Sequence, residues 1–124
     1  MQIVVKAVFL VLAAAMLFLA LTPGQLGMIV ESGEHRHLLA FSLLPLVGSL
    51  AWPRLSLRLQ FVFYALLGGA IELTQAWMAV GRAGEWDDWA IDCLATAAAL
   101  LLVGIFRGRV FPRPPAAPES VPAE

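Results

Sequence analysis

A carboxylate stands inside a long apolar segment of this sequence. Glu72 lies within the run 61–80, which is long enough to form a membrane-spanning helix. A charged group is costly to bury at that depth, so it normally faces a partner or an aqueous cavity and indicates a functional site. Gln75 is three positions further on and shares a helix face with Glu72. The pair could form a polar pocket, or it could lock two helices together through hydrogen bonds.

Other titratable side chains flank the apolar segments. Imidazole titrates near neutral pH, so His37 could act as a general acid or base or as a metal ligand. It could also be an interfacial group bonded to a loop carbonyl. Asp88 could be a base, or an acid that interacts favourably with a helix N-terminus. Asp92 lies one turn further inside, where it needs a hydrogen bond to Arg82, His37 or the third helix to stay charged. Arg82 could hold an anionic head group or pair with a nearby carboxylate.

The composition indicates which elements position these groups. Of the 124 residues, 60% are hydrophobic and 14% are charged, and the mean hydropathy is +0.83. These values are typical of a membrane protein, and the length leaves room for about four spans with short loops. The sequence predicts helices over 3–21, 38–52, 59–80 and 89–106. Pro45 should free a carbonyl in the second helix that a neighbouring helix or water must satisfy.

The distribution of basic residues predicts the orientation of these helices. If the four helices alternate in direction, one side of the membrane receives most of the basic residues, namely Lys6, Arg54, Arg58, Arg107, Arg109 and Arg113. The positive-inside rule then places both termini in the cytoplasm. We therefore predict an all-α domain of four transmembrane helices over 1–111. A disordered Pro/Ala-rich cytoplasmic tail should follow over 112–124.

This topology predicts one polar pocket at the outer leaflet. Within it we predict His37, Glu72 and Asp88 as catalytic residues, and Gln75, Arg82 and Asp92 as ligand-binding residues. We expect no metal site, because the two histidines lack helix-face ligand spacing and the single cysteine has no partner. We expect no cofactor, and no nucleic-acid partner, because no basic cluster alternates with exposed aromatic residues.

Several short motifs occur in order along the middle of the chain. They are His37-Leu38-Leu39-Ala40-Phe41, Glu72-Leu73-Thr74-Gln75, Gly81-Arg82, Glu85-Trp86-Asp87-Asp88 and Asp92-Cys93-Leu94-Ala95. Together, over about residues 37–95, they resemble the VanZ-like membrane proteins. That family has His-Phe-x-x-aromatic at the second helix, Glu-x-x-Gln in the third, and an Arg, an Asp and Asn-x-x-Gly leading into the fourth. This chain departs from the pattern at Leu38, Asp92 and Ala95, which replace Phe, Asn and Gly.

The resemblance implies a small, multi-pass protein of the bacterial plasma (inner) membrane. It also implies an association with resistance to teicoplanin, a lipoglycopeptide whose acyl chain places it at the outer leaflet. Our main hypothesis is that the pocket binds or modifies an amphiphile, such as a lipid-linked envelope precursor, a phospholipid or a lipoglycopeptide. The alternative is a non-catalytic structural or assembly protein of the envelope, with a second copy or another envelope protein as its partner.

Overall fold

All the regular secondary structure in the described part of the chain is α-helical. The computed structural model of the protein describes residues 1–22, 33–78 and 86–110, and these form four α-helices: α1 (Gln2–Leu21), α2 (Gly33–Ala51), α3 (Leu57–Met78) and α4 (Trp86–Val110). The predicted all-α class and helix order are thereby confirmed. The predicted tail over 112–124 lies outside the described residues.

The helices α2 and α4 begin earlier than the apolar pattern predicted. We expected starts at Leu38 and Trp89, whereas the helices begin at Gly33 and Trp86. In α4 the added turn contains Asp87 and Asp88, whose negative charge favours the positive end of the helix dipole. An apolar run therefore locates only the apolar part of each of these helices. The helical backbone begins earlier, in polar residues.

The surface of the bundle is strongly apolar. Within the described residues, α1, α3 and residues 86–108 of α4 are long and apolar enough to cross a membrane. Large hydrophobic side chains point outwards, including Leu66 (70% exposed), Leu94 (71%) and Trp77 (87%). Such side chains are suited to contact with lipid rather than water. The structure is thus compatible with a membrane protein.

The helix α2 lies at the centre of the bundle and contacts each of the other three. Phe41, Leu44 and Pro45 are among its side chains that are almost completely buried. It is not among the described helices that are long and apolar enough to cross a membrane. Because its neighbours rather than lipid cover the face that contains Phe41 and Leu44, that face of α2 can carry polar groups without exposing them to hydrocarbon.

A proline inside α2 is accommodated by the neighbouring helix. Pro45 has no backbone N–H, so the carbonyl of Phe41 one turn earlier loses its usual helical donor. The Thr96 hydroxyl of α4 approaches that carbonyl at 3.5 Å and donates to it, and Thr96 is completely buried. The predicted need for a neighbour to satisfy the freed carbonyl is confirmed.

A second polar contact region lies where α2 ends and α3 begins. We call Ser49, Gln60 and Arg107 the Gln60 cluster. The Ser49 hydroxyl donates to Gln60 Oε1 at 2.8 Å, and Gln60 Nε2 donates to the Leu55 carbonyl at 3.2 Å. The Arg107 guanidinium donates to the carbonyls of Ser49 (2.9 Å) and Leu55 (3.5 Å). These bonds satisfy the Ser49 carbonyl in the last turn of α2 and the Leu55 carbonyl in the connection to α3.

Candidate functional site

Four polar side chains from three helices meet at the opposite end of α2. His37 of α2, Glu72 of α3, and Asp88 and Asp92 of α4 form what we call the His37 cluster. The side chains of His37, Glu72 and Asp92 are buried, whereas that of Asp88 is 14% exposed. The cluster is therefore an internal site with one side chain at its opening.

A short hydrogen bond fixes the imidazole of His37. Its Nδ1 lies 2.9 Å from Asp92 Oδ1. A carboxylate can only accept, so Nδ1 carries a proton and donates it to Asp92. The Phe41 ring, one turn along α2, lies parallel to the imidazole with the ring planes at 4° and the centroids 6.4 Å apart. Together these contacts set both the tautomer and the orientation of His37.

The other imidazole nitrogen faces two more carboxylates. His37 Nε2 lies 3.6 Å from Glu72 Oε1 and 3.7 Å from Asp88 Oδ2. Both distances permit charge interaction but exceed the usual range for a hydrogen bond. When Nδ1 is the protonated nitrogen of a neutral ring, the lone pair of Nε2 points towards this space. The arrangement could exchange a proton at Nε2 or hold a cation beside it.

Glycine at position 68 allows the cluster to form. A Cβ atom there would lie 2.7 Å from Asp92 Oδ2 and 3.3 Å from Asp92 Cβ, closer than real side-chain contacts allow. Only a residue without a side chain lets α4 bring Asp92 this close to α3. Beside it, Trp89 Nε1 donates to the Ala65 carbonyl at 3.0 Å, and a Cβ atom at Gly69 would contact the indole at 3.5 Å. The close contact between α3 and α4 thus depends on Gly68, while Gly69 leaves room for the Trp89 indole.

An apolar groove adjoins the His37 cluster. It has a volume of about 240 Å³ and lies mainly between α1 and α2. Leu12, Met16 and Leu43 are among the apolar side chains that line it, while Arg36 and His37 supply its polar lining. An apolar channel that meets a polar group is suited to a molecule with a hydrocarbon chain and a polar head.

The predicted site residues have different outcomes. His37, Glu72, Asp88 and Asp92 are brought together, as the shared outer location predicted. Gln75 Nε2 instead donates to the Ala20 carbonyl at the end of α1, at 2.9 Å, so its ligand-binding role stays a prediction. Arg82, together with Gly81 and Glu85 of the same motifs, lies outside the described residues.

One feature of the site was not found in the sequence. The groove depends on how α1 packs against α2, and no spacing within either helix indicates that contact. Arg36 lines the groove, and no motif in the sequence marked that residue as part of the site. The hydrogen bond between His37 and Asp92 joins residues 55 positions apart. It was one of the alternatives that we predicted, because Asp92 inside an apolar helix required a buried partner.

Comparison of the chain with protein-family models, with curated proteins and with solved structures found no match.

Proposed function

We propose that this is an integral membrane protein that binds an amphiphilic envelope component, with the acyl chain in the α1–α2 groove and the head group at the His37 cluster. The observation that carries the proposal is that the groove's lining is apolar apart from Arg36 and His37, and His37 belongs to the cluster. A soluble ligand would gain little from such a groove. An amphiphile already dissolved in the bilayer could enter it sideways and bring its head group to the imidazole.

The proposed topology has four spans with both termini in the cytoplasm. Lys6 Nζ lies 5.7 Å above the Trp52 ring, so the start of α1 and the end of α2 share one end of the bundle with Arg107. The positive-inside rule assigns this basic end to the cytoplasm. The His37 cluster, at the opposite end of α2, would then lie at the outer leaflet of the bacterial plasma membrane.

The charge of the cluster favours a particular kind of head group. Glu72, Asp88 and Asp92 surround one imidazole, so acidic side chains outnumber basic ones in the cluster. A head group with an ammonium or several hydroxyl groups would be attracted there, while Arg36 in the groove lining favours an adjacent phosphate or carboxylate. In a catalytic form of the proposal, Nε2 exchanges a proton with the head group, and Asp92 holds the ring in place.

The VanZ-like motifs extend the proposal to a biological setting. In this extension the protein contributes to teicoplanin resistance, because a lipoglycopeptide combines an acyl chain with a polar head and acts at the outer leaflet. The order of the motifs supports this step, and four of the residues carried over from them lie together in the His37 cluster.

A structural role is the second candidate function. The buried hydrogen bond from His37 to Asp92 joins α2 to α4, and the bond from Gln75 to Ala20 joins α3 to α1. Polar bonds of this kind hold helices together in lipid at roughly 1 kcal/mol each. On this interpretation the same residues stabilise the bundle or its assembly with a second copy or another envelope protein.

Amphiphile binding is tested by blocking the groove. Ala15 and Ala14 are adjacent and both exposed, but only Ala15 lines the groove. We expect Ala15→Phe to abolish retention of lysophosphatidylethanolamine by the full chain in native mass spectrometry, and Ala14→Phe to retain it. Equal binding by both variants would contradict the groove as the acyl site.

The resistance phenotype needs a separate test in cells. The inhibitory concentration of teicoplanin would be compared in a susceptible Gram-positive host that produces the wild type, Glu72→Gln or Arg82→Ala at equal membrane levels. We expect protection by the wild type and its loss in both variants. Absence of protection by abundant wild-type protein would reject the resistance role and leave amphiphile binding to be judged by the groove variants.

A further inference from the structure

The His37 cluster has the geometry of a metal site. The expectation of no metal rested on ligand spacing within single helices, but the cluster draws its groups from three helices, so that reason no longer applies. His37, Glu72 and Asp92 can each offer one ligand atom, and these atoms lie within 4.8 Å of one another. Imidazole and carboxylate together are typical ligands of divalent zinc, manganese and iron.

The hydrogen bond to Asp92 prepares His37 to bind a cation. A histidine that ligates a metal almost always donates its other ring N–H to a carboxylate, carbonyl or water. Here Nδ1 donates to Asp92 Oδ1 at 2.9 Å, so the free lone pair belongs to Nε2. That atom faces Glu72 and Asp88, the two carboxylates on the other side of the ring.

The spacing around Nε2 suits an ion between the groups. Bonds of about 2.0–2.2 Å to zinc in tetrahedral geometry place neighbouring ligand atoms about 3.4 Å apart. The observed separations from Nε2 are 3.6 Å to Glu72 Oε1 and 3.7 Å to Asp88 Oδ2. A direct hydrogen bond would draw the atoms closer, to roughly 2.7–3.2 Å. Both carboxylate oxygens are therefore within reach of an ion bound at Nε2.

A buried oxygen atom is an independent sign that positive charge is needed here. Asp92 is completely buried, and its Oδ2 accepts no hydrogen bond from the residues that the structure describes. A buried carboxylate with an unsatisfied oxygen is strongly unfavourable unless positive charge compensates it. A divalent ion bound to Nε2, at the opposite edge of the ring, would polarise the imidazole and strengthen the hydrogen bond from Nδ1 to Asp92.

We propose that His37 Nε2, Glu72 Oε1 and Asp88 Oδ2 bind a divalent transition-metal ion, with zinc as the preferred probe, while Asp92 orients the imidazole. Asp88 is partly exposed, which gives the ion a route into the site. Three protein ligands leave a coordination position open for an oxygen atom of a head group. This inference rests on the proposed function for its chemistry, since the ion would hold and polarise a phosphate or hydroxyl of the bound amphiphile.

Metal binding is measured without any amphiphile, so that it and the proposed function can fail separately. The full chain in detergent is stripped with a chelator, and Zn²⁺ alone is added in isothermal titration calorimetry. We expect one Zn²⁺ per chain. Affinity should fall more than 100-fold in His37→Gln, and 10–100-fold in Asp92→Asn because the imidazole loses its orienting partner. The matched control is His35→Gln, which replaces the exposed histidine two positions away and should bind as the wild type does.

A further variant keeps the test decisive if a buried substitution unfolds the protein. Asp88→Asn changes a partly exposed side chain, and we expect it to weaken Zn²⁺ binding at least tenfold with an unchanged circular dichroism spectrum. The proposal is overturned if the wild type binds no Zn²⁺, or if folded Asp88→Asn and His35→Gln bind with the affinity of the wild type. The groove experiment with lysophosphatidylethanolamine would still test amphiphile binding, whether or not Zn²⁺ binds.

Discussion

The two buried polar regions of this bundle differ in what their hydrogen bonds accomplish. In the Gln60 cluster, Arg107 and Gln60 donate to backbone carbonyls where α2 ends and the chain turns into α3. In the His37 cluster, three carboxylates converge on one imidazole. The first region satisfies carbonyls at a helix end, whereas the second concentrates acidic groups in the interior of the bundle.

That difference separates a stabilising contact from a candidate site. Capping of helix ends is required of any helix whose terminus is buried, so the Gln60 cluster is explained by folding alone. A group of buried carboxylates is costly, and it persists when binding or catalysis requires it. If this distinction is correct, loss of the imidazole from the His37 cluster should reduce binding, whereas loss of a donor from the Gln60 cluster should reduce stability.

The largest loss of stability is expected at Gly68, where the His37 cluster depends on close packing of α3 against α4. Gly68→Ala places a methyl group 2.7 Å from Asp92 Oδ2, which forces Asp92 away from His37. We expect a loss of about 2 kcal/mol in the free energy of unfolding, as overpacking typically costs. Unfolding in mixed SDS micelles would measure it.

Gly108 supplies the control for this substitution. A Cβ atom at that position of α4 meets nothing within 4 Å. Gly108→Ala should therefore stabilise the helix by up to about 1 kcal/mol, through helix propensity alone. Equal changes in the free energy of unfolding for the two variants would contradict the prediction. They would mean that packing of Asp92 does not require glycine at position 68.

A smaller effect is expected in the Gln60 cluster. Arg107→Ala removes the donors to the carbonyls of Ser49 and Leu55, and we expect the free energy of unfolding to fall by about 1.5 kcal/mol. Arg58→Ala, on the exposed side of α3, should change it by less than about 0.5 kcal/mol. The same micelle titration distinguishes them, and equal losses would remove the structural role assigned to Arg107.

The smallest effect concerns the carbonyl that Pro45 frees. Thr96→Val should cost about 0.6 kcal/mol, because one interhelical hydrogen bond to the Phe41 carbonyl is lost. In a Pro45→Ala background the helix supplies its own donor to that carbonyl, so the same substitution should cost less. A double-mutant cycle measures the coupling, and strict additivity would refute it.

Much of the fold could be predicted because its determinants are local. Runs of apolar residues located all four helices to within a few residues, and Thr22 at the end of the first run is the C-cap of α1. The early starts of α2 and α4 were missed because hydropathy ignores polar helical turns. Four of the candidate site residues were found because each is a polar residue either within an apolar run or at the start of one.

The rest of the site depended on three-dimensional packing. The side chain of Gln75 was grouped with Glu72 by helix face, yet it bonds to Ala20 of α1, a residue 55 positions away. The ligand geometry around His37 arises from the crossing of three helices, and spacing within any one of them does not encode it. The groove likewise exists only where α1 meets α2.

One paired measurement tests the central claim that the two polar regions serve different purposes. Lysophosphatidylethanolamine binding and thermal stability would be measured together for His37→Gln and Arg107→Ala in the full chain. We predict that His37→Gln loses binding while remaining folded, and that Arg107→Ala loses stability while the folded fraction still binds. If His37→Gln keeps full binding and is merely less stable, the His37 cluster is a helix contact like the Gln60 cluster and the account is contradicted.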